Sequence, residues 1–336
     1  MKLSDIARLA GVSVTTASYV INGKAVQRRI SAATVARVQA VVQAHDYRPD
    51  VQAAGLRGGQ TRSLGFILPD LENPSYARLA KCLERGARAR GYQLLIASSD
   101  DQPDTERQLL NLFRARRCDA LIVASCLPGT DHSYQRLQDE GLPVIAVDRE
   151  LDAARFCSVV SDDHDASRHL TRSLMQAPSR HIALLGARPE LVISQARSAG
   201  FREALEGSAS EALLEHGEAF SRACGRRLME RLLERLGHLP DALVTTAYVL
   251  LEGVFDVLKA HGEVFDGAPE RLRLGTFGDT QMLDFLPLPV NSMAQQHDVI
   301  AEQVLHLALL AVEQGLYRPG VQAVPRTFKE RRTAAA

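Results

Sequence analysis

Residues 3–23 read LSDIARLAGVSVTTASYVING, and the parsing of that stretch decides the fold. Ser4 is a residue type that caps helix N-termini, and Asp5 falls in a first turn where the helix dipole favours negative charge. Ile6, Leu9 and Ala10 recur at helical spacing and give one apolar face. Gly11 can take the left-handed conformation that stops a helix. Ser13 then caps a second helix, with Ala17, Val20 and Ile21 inside, Val14, Thr15, Ser18 and Tyr19 outside, and Thr16 at the edge. Two short helices across a glycine turn make a helix-turn-helix, which offers its second helix to the DNA major groove. An ordinary helical hairpin has the same local grammar, so the surrounding sequence has to choose between them.

A third helix follows. Ser31 caps it, Val35, Val38, Val41 and Val42 form its apolar face, and it ends near residues 46–47, ahead of Pro49. The loop before it holds Lys24, Arg28 and Arg29, suited equally to solvent and to phosphate. The 336-residue chain balances 40 Lys/Arg against 40 Asp/Glu. Residues 1–62 nevertheless carry nine Lys/Arg against three Asp, so a head of +6 sits on a body of −6. That asymmetry points the head, and not the body, at a polyanion. Residues 48–62, RPDVQAAGLRGGQTR, can form one or two helical turns through Val51, Ala53, Ala54 and Leu56. Gly55, Gly58 and Gly59 weaken such a helix by about 1 kcal/mol each relative to alanine. The segment reads as a linker that folds only when something holds it.

From Ser63 onward strands and helices alternate. Strands are expected over residues 64–68, 93–97, 120–124, 144–147, 158–160, 181–185, 242–245, 272–277 and 291–294. Helices are expected near 75–90, 104–117, 132–140, 165–175, 194–206, 221–236, 248–261 and 298–314. Repeated β-α-β units with apolar, β-branched strands predict an α/β fold of parallel sheets covered by helices on both faces. The length is too great for one sheet, so two similar lobes are expected. The predicted division is a head at 1–47, a hinge at 48–62 and a core at 63–336. Within the core, lobe one takes about 63–161 and 292–322, and lobe two about 162–291 and 323–336. Open sheets of this kind bind ligands at the carboxyl ends of their strands. The polar residues falling there are Asp70, Ser98, Ser99, Ser125, Asp148, Arg149, Asp162 and Asp279.

Several functional classes find no support. No window has the apolar length of a membrane span and the N-terminus lacks a signal-peptide core, so a cytoplasmic protein is expected. Cys82, Cys118, Cys126, Cys157 and Cys224 show no C-x-x-C spacing and read as free thiols. His132, His164, His181 and His297 are not grouped for metal, and the nucleotide-binding and hydrolase motifs are absent. Neither metal, cofactor nor catalysis is expected. Asp148 and Arg149 follow an apolar strand, and Arg197 falls early in an expected helix. A carboxylate can take bidentate hydrogen bonds from vicinal hydroxyls, and arginine gives a forked, charge-assisted contact to phosphate. A purely structural ion pair fits the same spacing.

The stretches MKLSDIARLAGVSVTTASYVINGKA, AAGLR, PDLENPSY, RGYQLLIASSDDQPD and LGTFGD resemble the lactose-repressor/galactose-repressor family of bacterial transcription regulators. The resemblance runs the length of the chain and is strongest to the branch that controls fructose genes. It implies a homodimer with a periplasmic-binding-protein-like core, and two heads on a palindromic double-stranded operator. It implies base contacts from Val14, Thr15 and Tyr19, and phosphate or supporting contacts from Thr16, Ser18 and Asn22. In the hinge it implies Ala53 and Leu56 at the DNA, the leucine wedged into the minor groove so that the operator bends. For the core it implies a sugar-phosphate effector, fructose 1-phosphate first and fructose 1,6-bisphosphate second, at Ser75, Tyr76, Asp148, Arg149, Arg197, Asp279 and Gln296. In that set Asp148 and Asp279 would take hydroxyls, and Arg149 and Arg197 the phosphate. Two positions depart from the pattern. Val14 replaces a frequent arginine and can touch a thymine methyl but cannot read guanine. Ala247 and Tyr248 replace a frequent Asn-Asp pair. The C-terminus has no leucine heptads for a tetramer zipper. The expected function is repression, and activation at some promoters, of fructose and central carbon genes. A regulator answering to another sugar or a purine, and a cytosolic sugar-phosphate enzyme, remain as alternatives.

Overall fold

The computed structural model describes residues 1–47, 60–175, 179–260, 272–286 and 288–331. The chain divides into two compact units, Met1–Arg62 and Ser63–Ala336.

The first unit contains α1 (Leu3–Leu9), α2 (Val14–Ile21) and α3 (Ala32–Ala44). Ile6, Ala7, Ala10, Ala17, Val20 and Val38 are buried together, with Val35, Val41 and Val42 packed around them. Ser13 caps α2 by accepting the Thr16 N–H at 3.1 Å, and Ser31 caps α3 by accepting the Thr34 N–H at 3.3 Å. Gly11 has the left-handed φ of +63° that the turn requires. Two details of α1 differ from expectation. It starts at Leu3, and the Asp5 carboxylate, not Ser4, closes its first turn by accepting the Lys2 N–H at 2.9 Å. Leu9 is half exposed, and Ala7 is buried in its place. The hinge, with Ala53 and Leu56, lies outside the described residues.

The second unit holds two six-stranded sheets. The first comprises β1 (Ser63–Leu68), β2 (Gln93–Ser98), β3 (Ala120–Val123), β4 (Val144–Val147), β5 (Cys157–Ser161) and β11 (Gly320–Val324). Its order is β11-β5-β4-β3-β1-β2, parallel throughout. The second comprises β6 (His181–Ala187), β7 (Glu211–Gly217), β8 (Ala242–Thr245), β9 (Arg273–Phe277), β10 (Val290–Ala294) and β12 (Thr327–Lys329). Its order is β12-β10-β9-β8-β6-β7, with β12 antiparallel to β10 and the other pairs parallel. β3, β4 and β8 are buried at every residue, as strands covered on both faces must be. The covering helices are α4 (Pro74–Ala89), α5 (Pro103–Ala115), α6 (Ser133–Asp139), α7 (Asp163–Leu174), α8 (Val192–Leu205), α9 (Arg222–Leu236), α10 (Tyr248–Ala260) and α11 (His297–Gln314).

Two features correct the sequence reading. β7 was not expected: in EALLEHG only Leu213 is fully buried, because an edge strand needs little apolar surface. The lobe boundary set at residue 292 falls inside β10, which belongs to the second sheet. The chain returns to lobe one at residues 295–296 and stays through Val324, with α11 packed there through Ile300, Ala301, Val304, Leu305 and Ala308. Gly86 on α4 makes that packing close, since a Cβ there would lie 2.4 Å from Leu305 Cδ1. The chain therefore passes between the lobes three times: after β5, after β10 and after β11. Among the described residues no helix is long and apolar enough to cross a membrane.

Candidate functional site

On the head, Val14 and Thr15 are exposed on α2, and Ser18 and Tyr19 are half-buried beside them. Thr16 is bound into the cap, its hydroxyl 2.9 Å from Ser13 Oγ. Asn22 Nδ2 donates to the Ser18 carbonyl at 2.8 Å, so these two residues hold each other at the helix end. The Arg28 guanidinium lies 4.9 Å from the centre of the Tyr19 ring. That stacking fixes the ring and sets a cation at the rim of the exposed helix face. The outer face expected of a recognition helix is therefore assembled, with one loop arginine joined to it.

In the core, a cleft of about 860 Å³ opens at the carboxyl ends of the strands of both sheets. Lobe one contributes its polar wall. Asp148 ends β4 at the left-handed φ of +65°, in a three-residue turn closed by the Arg149 N–H on the Val147 carbonyl at 2.7 Å. Such backbone strain in a non-glycine residue costs of order 1–3 kcal/mol and is held at functional positions. Tyr76 donates to Asp148 Oδ2 at 2.6 Å, and Gln295 donates to Oδ1 at 2.9 Å. Ser75 donates to Gln295 Oε1 at 2.9 Å and lies 2.9 Å from His297 Nε2. Burial pushes the Asp148 carboxyl up, but the Arg197 and Arg326 charges and the Tyr76 and Gln295 hydrogen bonds outweigh it and hold the group below the usual range. Burial pushes the His297 imidazole down to about 4, aided by Arg78 and Arg326, so it is neutral at pH 7.

Lobe two and the crossings contribute a cationic, aromatic wall. Asp163 Oδ1 accepts from Arg197 Nε at 3.0 Å and from Arg326 Nε at 2.9 Å. Both guanidinium groups lie on the Phe277 ring, 4.6 and 5.2 Å from its centre. Arg197 Nη1 donates onward to the Thr246 carbonyl at 2.7 Å. The Arg326 side chain is almost wholly buried, with its Nε held by Asp163 and its guanidinium lining the cleft. Ile193, Phe220, Ala247 and Tyr248 supply apolar surface nearby. The chemistry on offer is a carboxylate with flanking hydroxyl and amide groups facing two arginines, which suits a polyol carrying an anionic group.

Of the expected effector residues, Ser75, Tyr76, Asp148, Arg149, Arg197 and Asp279 all line the cleft. Arg149 is committed to Asp101, with Nη2 on Oδ2 at 3.0 Å and Nη1 on Oδ1. Asp279 is also engaged, accepting from Ser292 at 2.8 Å and Arg331 at 2.9 Å and pairing with Lys329. Gln296 is corrected: it caps α11 and donates to the Pro325 carbonyl at 2.7 Å, while Gln295 faces the cleft. Sequence reasoning also missed Asp163, Phe277 and Arg326. Asp163 follows the flagged Asp162, and Phe277 ends a strand, so both carried a local signal. Arg326 carried none, sitting in a basic C-terminal run.

A three-helix head of this kind together with a two-lobed core around a ligand cleft defines a ligand-responsive DNA-binding regulator. Comparison with known proteins bears this out. Residues 2–50 match a profile described as "Bacterial regulatory proteins, lacI family", and residues 61–274 match "Periplasmic binding proteins and sugar binding domain of LacI family". The chain belongs to the LacI family of bacterial transcriptional regulators. It is 47% identical to the fructose operon regulatory protein of Vibrio cholerae, over 98% of this chain and 100% of that one. It is 46% identical to the catabolite repressor/activator of Escherichia coli K12, over 98% of each. The crystal structure of the Cra transcriptional dual regulator of Pseudomonas putida in complex with fructose 1-phosphate is 68% identical, with a TM-score of 0.77, covering 81% of this chain and 99% of that one. The operator-bound lac repressor dimer, at 20% identity and a TM-score of 0.85, shares the fold over 100% of this chain and 99% of its own. These relatives are regulators by name.

Proposed function

We propose that this chain is a homodimeric regulator of fructose and central carbon genes that leaves a palindromic operator when fructose 1-phosphate fills the cleft. The observation that carries the effector reading is the pairing of Asp148, braced by Tyr76 and Gln295, with Arg197 and Arg326 across from it. The phosphate takes Arg326 and its neighbour Arg197, and Asp148 takes sugar hydroxyls. Arg149 keeps Asp101 in place and supplies charge, and Ser75 and Asp279 border the sugar. The Pseudomonas putida relative solved with fructose 1-phosphate supports the same ligand. Fructose 1,6-bisphosphate is the weaker candidate, because Asp100 and Asp101 line the lobe-one side of the cleft and repel a second phosphate.

On the DNA side, Val14, Thr15 and Tyr19 reach base edges, and Thr16, Ser18 and Asn22 support the helix or touch phosphate. Ala53 and Leu56 act in the hinge, which folds on the operator. Closure of the lobes on the effector changes the dimer geometry and disfavours that folding. No cofactor or metal enters this scheme, and it acts in the cytoplasm. Calorimetry of the full chain with fructose 1-phosphate, fructose 1,6-bisphosphate, fructose 6-phosphate and fructose tests it. The expected order places fructose 1-phosphate first, and equal binding of free fructose would overturn the phosphate assignment.

A further inference from the structure

At the edge of the cleft an ionic contact joins a lining residue of lobe one, Asp101, to a residue of lobe two outside the lining, Arg188. Asp101, after β2 in lobe one, takes both Nη groups of Arg149, and its Oδ2 also lies 3.7 Å from Nη1 of Arg188, after β6 in lobe two. Arg188 in turn pairs through Nε with Glu190 on its own lobe. The four side chains form a line of alternating charge, starting at the buried Arg149 beside Asp148 and ending at Glu190. We propose that Arg188 is a positioning residue for effector binding, acting through Asp101 on the closure of the cleft. The inference rests on the effector reading above.

The geometry favours this over a merely structural surface pair. Arg188 is outside the residues that line the cleft, and its contact with the lining runs through Asp101. Its backbone is fixed, with its N–H on the Gly217 carbonyl at 2.9 Å and its carbonyl accepting the Leu191 N–H at 3.0 Å. Asp101 is fixed likewise by its N–H on the Pro69 carbonyl at 3.1 Å. Both residues hold a left-handed φ, +54° at Asp101 and +50° at Arg188, so the two side chains face each other from set loops. At 3.7 Å the pair is an ion pair without a hydrogen bond, and a small approach of the lobes converts it into one. Attraction across the mouth thus strengthens as the cleft closes, which adds to effector affinity without a ligand contact. Removing Arg188 strands no buried charge, since Asp101 keeps Arg149 and Glu190 is largely exposed.

The test is calorimetry of fructose 1-phosphate with the full-length protein, its R188A and R188K variants, D101N, and D101N combined with R188A. A partly exposed pair of this kind predicts that R188A weakens binding about three- to fivefold. R188K recovers part of the loss, the thermal midpoint without effector is unchanged, and R188A adds nothing in the D101N background. R188A binding like the wild type, or losing as much with Asp101 already neutralised, would overturn the proposal. A wild type that ignores fructose 1-phosphate while keeping its fold overturns the effector reading itself, and the role of Arg188 falls with it.

Discussion

Arg197 and Arg326 share a single carboxylate oxygen, Asp163 Oδ1, at 3.0 and 2.9 Å, and rest on the same Phe277 ring. Two guanidinium groups so placed repel each other, and the Asp163 and Asp148 carboxylates together offset that repulsion. Burial lowers the affinity of Arg326 for its proton, with Asp163 opposing that effect and Arg197 adding to it. In the effector reading proposed above, an anion in the cleft becomes a further partner for these two arginines.

Arg326→Met therefore separates binding from folding. Losing a buried, charge-assisted fork should weaken fructose 1-phosphate binding about thirtyfold or more. The thermal midpoint of the effector-free protein should hold or rise, because Arg197 then has Asp163 to itself. Calorimetry and thermal melting read both, and an unchanged affinity would remove Arg326 from the site.

His297 gives a pH dependence with a defined sign. Its folded-state pKa of about 4 lies below the ordinary value of 6.5, so the unfolded chain binds the extra proton between those values. Stability is then complete above about pH 6.5 and is lost as pH falls toward 4, by on the order of 3 kcal/mol. The groups facing the ring act in both directions, Arg78 and Arg326 against protonation and Asp148 and Asp298 for it. Melting curves of wild type and His297→Gln across that window should show the slope in the first and a flatter line in the second.

Ser13→Ala removes the acceptor that holds the Thr16 N–H at the start of α2. An N-cap of this type contributes about 1 kcal/mol. Operator affinity in band shifts should fall by up to about fivefold, the factor that energy represents. Effector affinity should not move, since the cap lies in the other compact unit.

Leu56→Ala should reduce operator affinity more sharply than the cap variant, again with effector binding intact. A wedge that unstacks a base step supplies contacts that only the bent operator provides. Equal operator binding by this variant would take the hinge leucine out of the mechanism.

Much of the fold was legible because both of its periodicities are clean. Glycine at 11 and serine caps at 13 and 31 mark the helices of the head, and continuous apolar runs mark the central strands of the two sheets. β7 was illegible because an edge strand half in solvent, EALLEHG, has no apolar run to detect. Leu9 misled because hydrophobicity alone does not decide burial: on α1 the inward positions are Ile6, Ala7 and, just after it, Ala10. The candidate site divided in the same way. Asp148 and Arg149 follow a strand end that topology marks in advance, and Arg197 lies in the first half of the helix Val192–Leu205. Arg326 reaches the cleft only because β11 is followed by a third crossing, a long-range fact with no local signature. Gln295 and Gln296 differ by one position, and the register at the end of β10 decides which of them faces the ligand.

The most direct test of coupled control is reciprocity. Fructose 1-phosphate affinity should be measured by titration of the free protein and of the protein saturated with an operator selected from a random palindromic library. Operator affinity is measured in parallel with and without saturating effector. Linkage requires the two ratios to be equal. The predicted result is weaker effector binding on the operator, by the same factor by which effector weakens DNA binding. Identical effector affinity with and without operator would contradict the proposed mechanism outright.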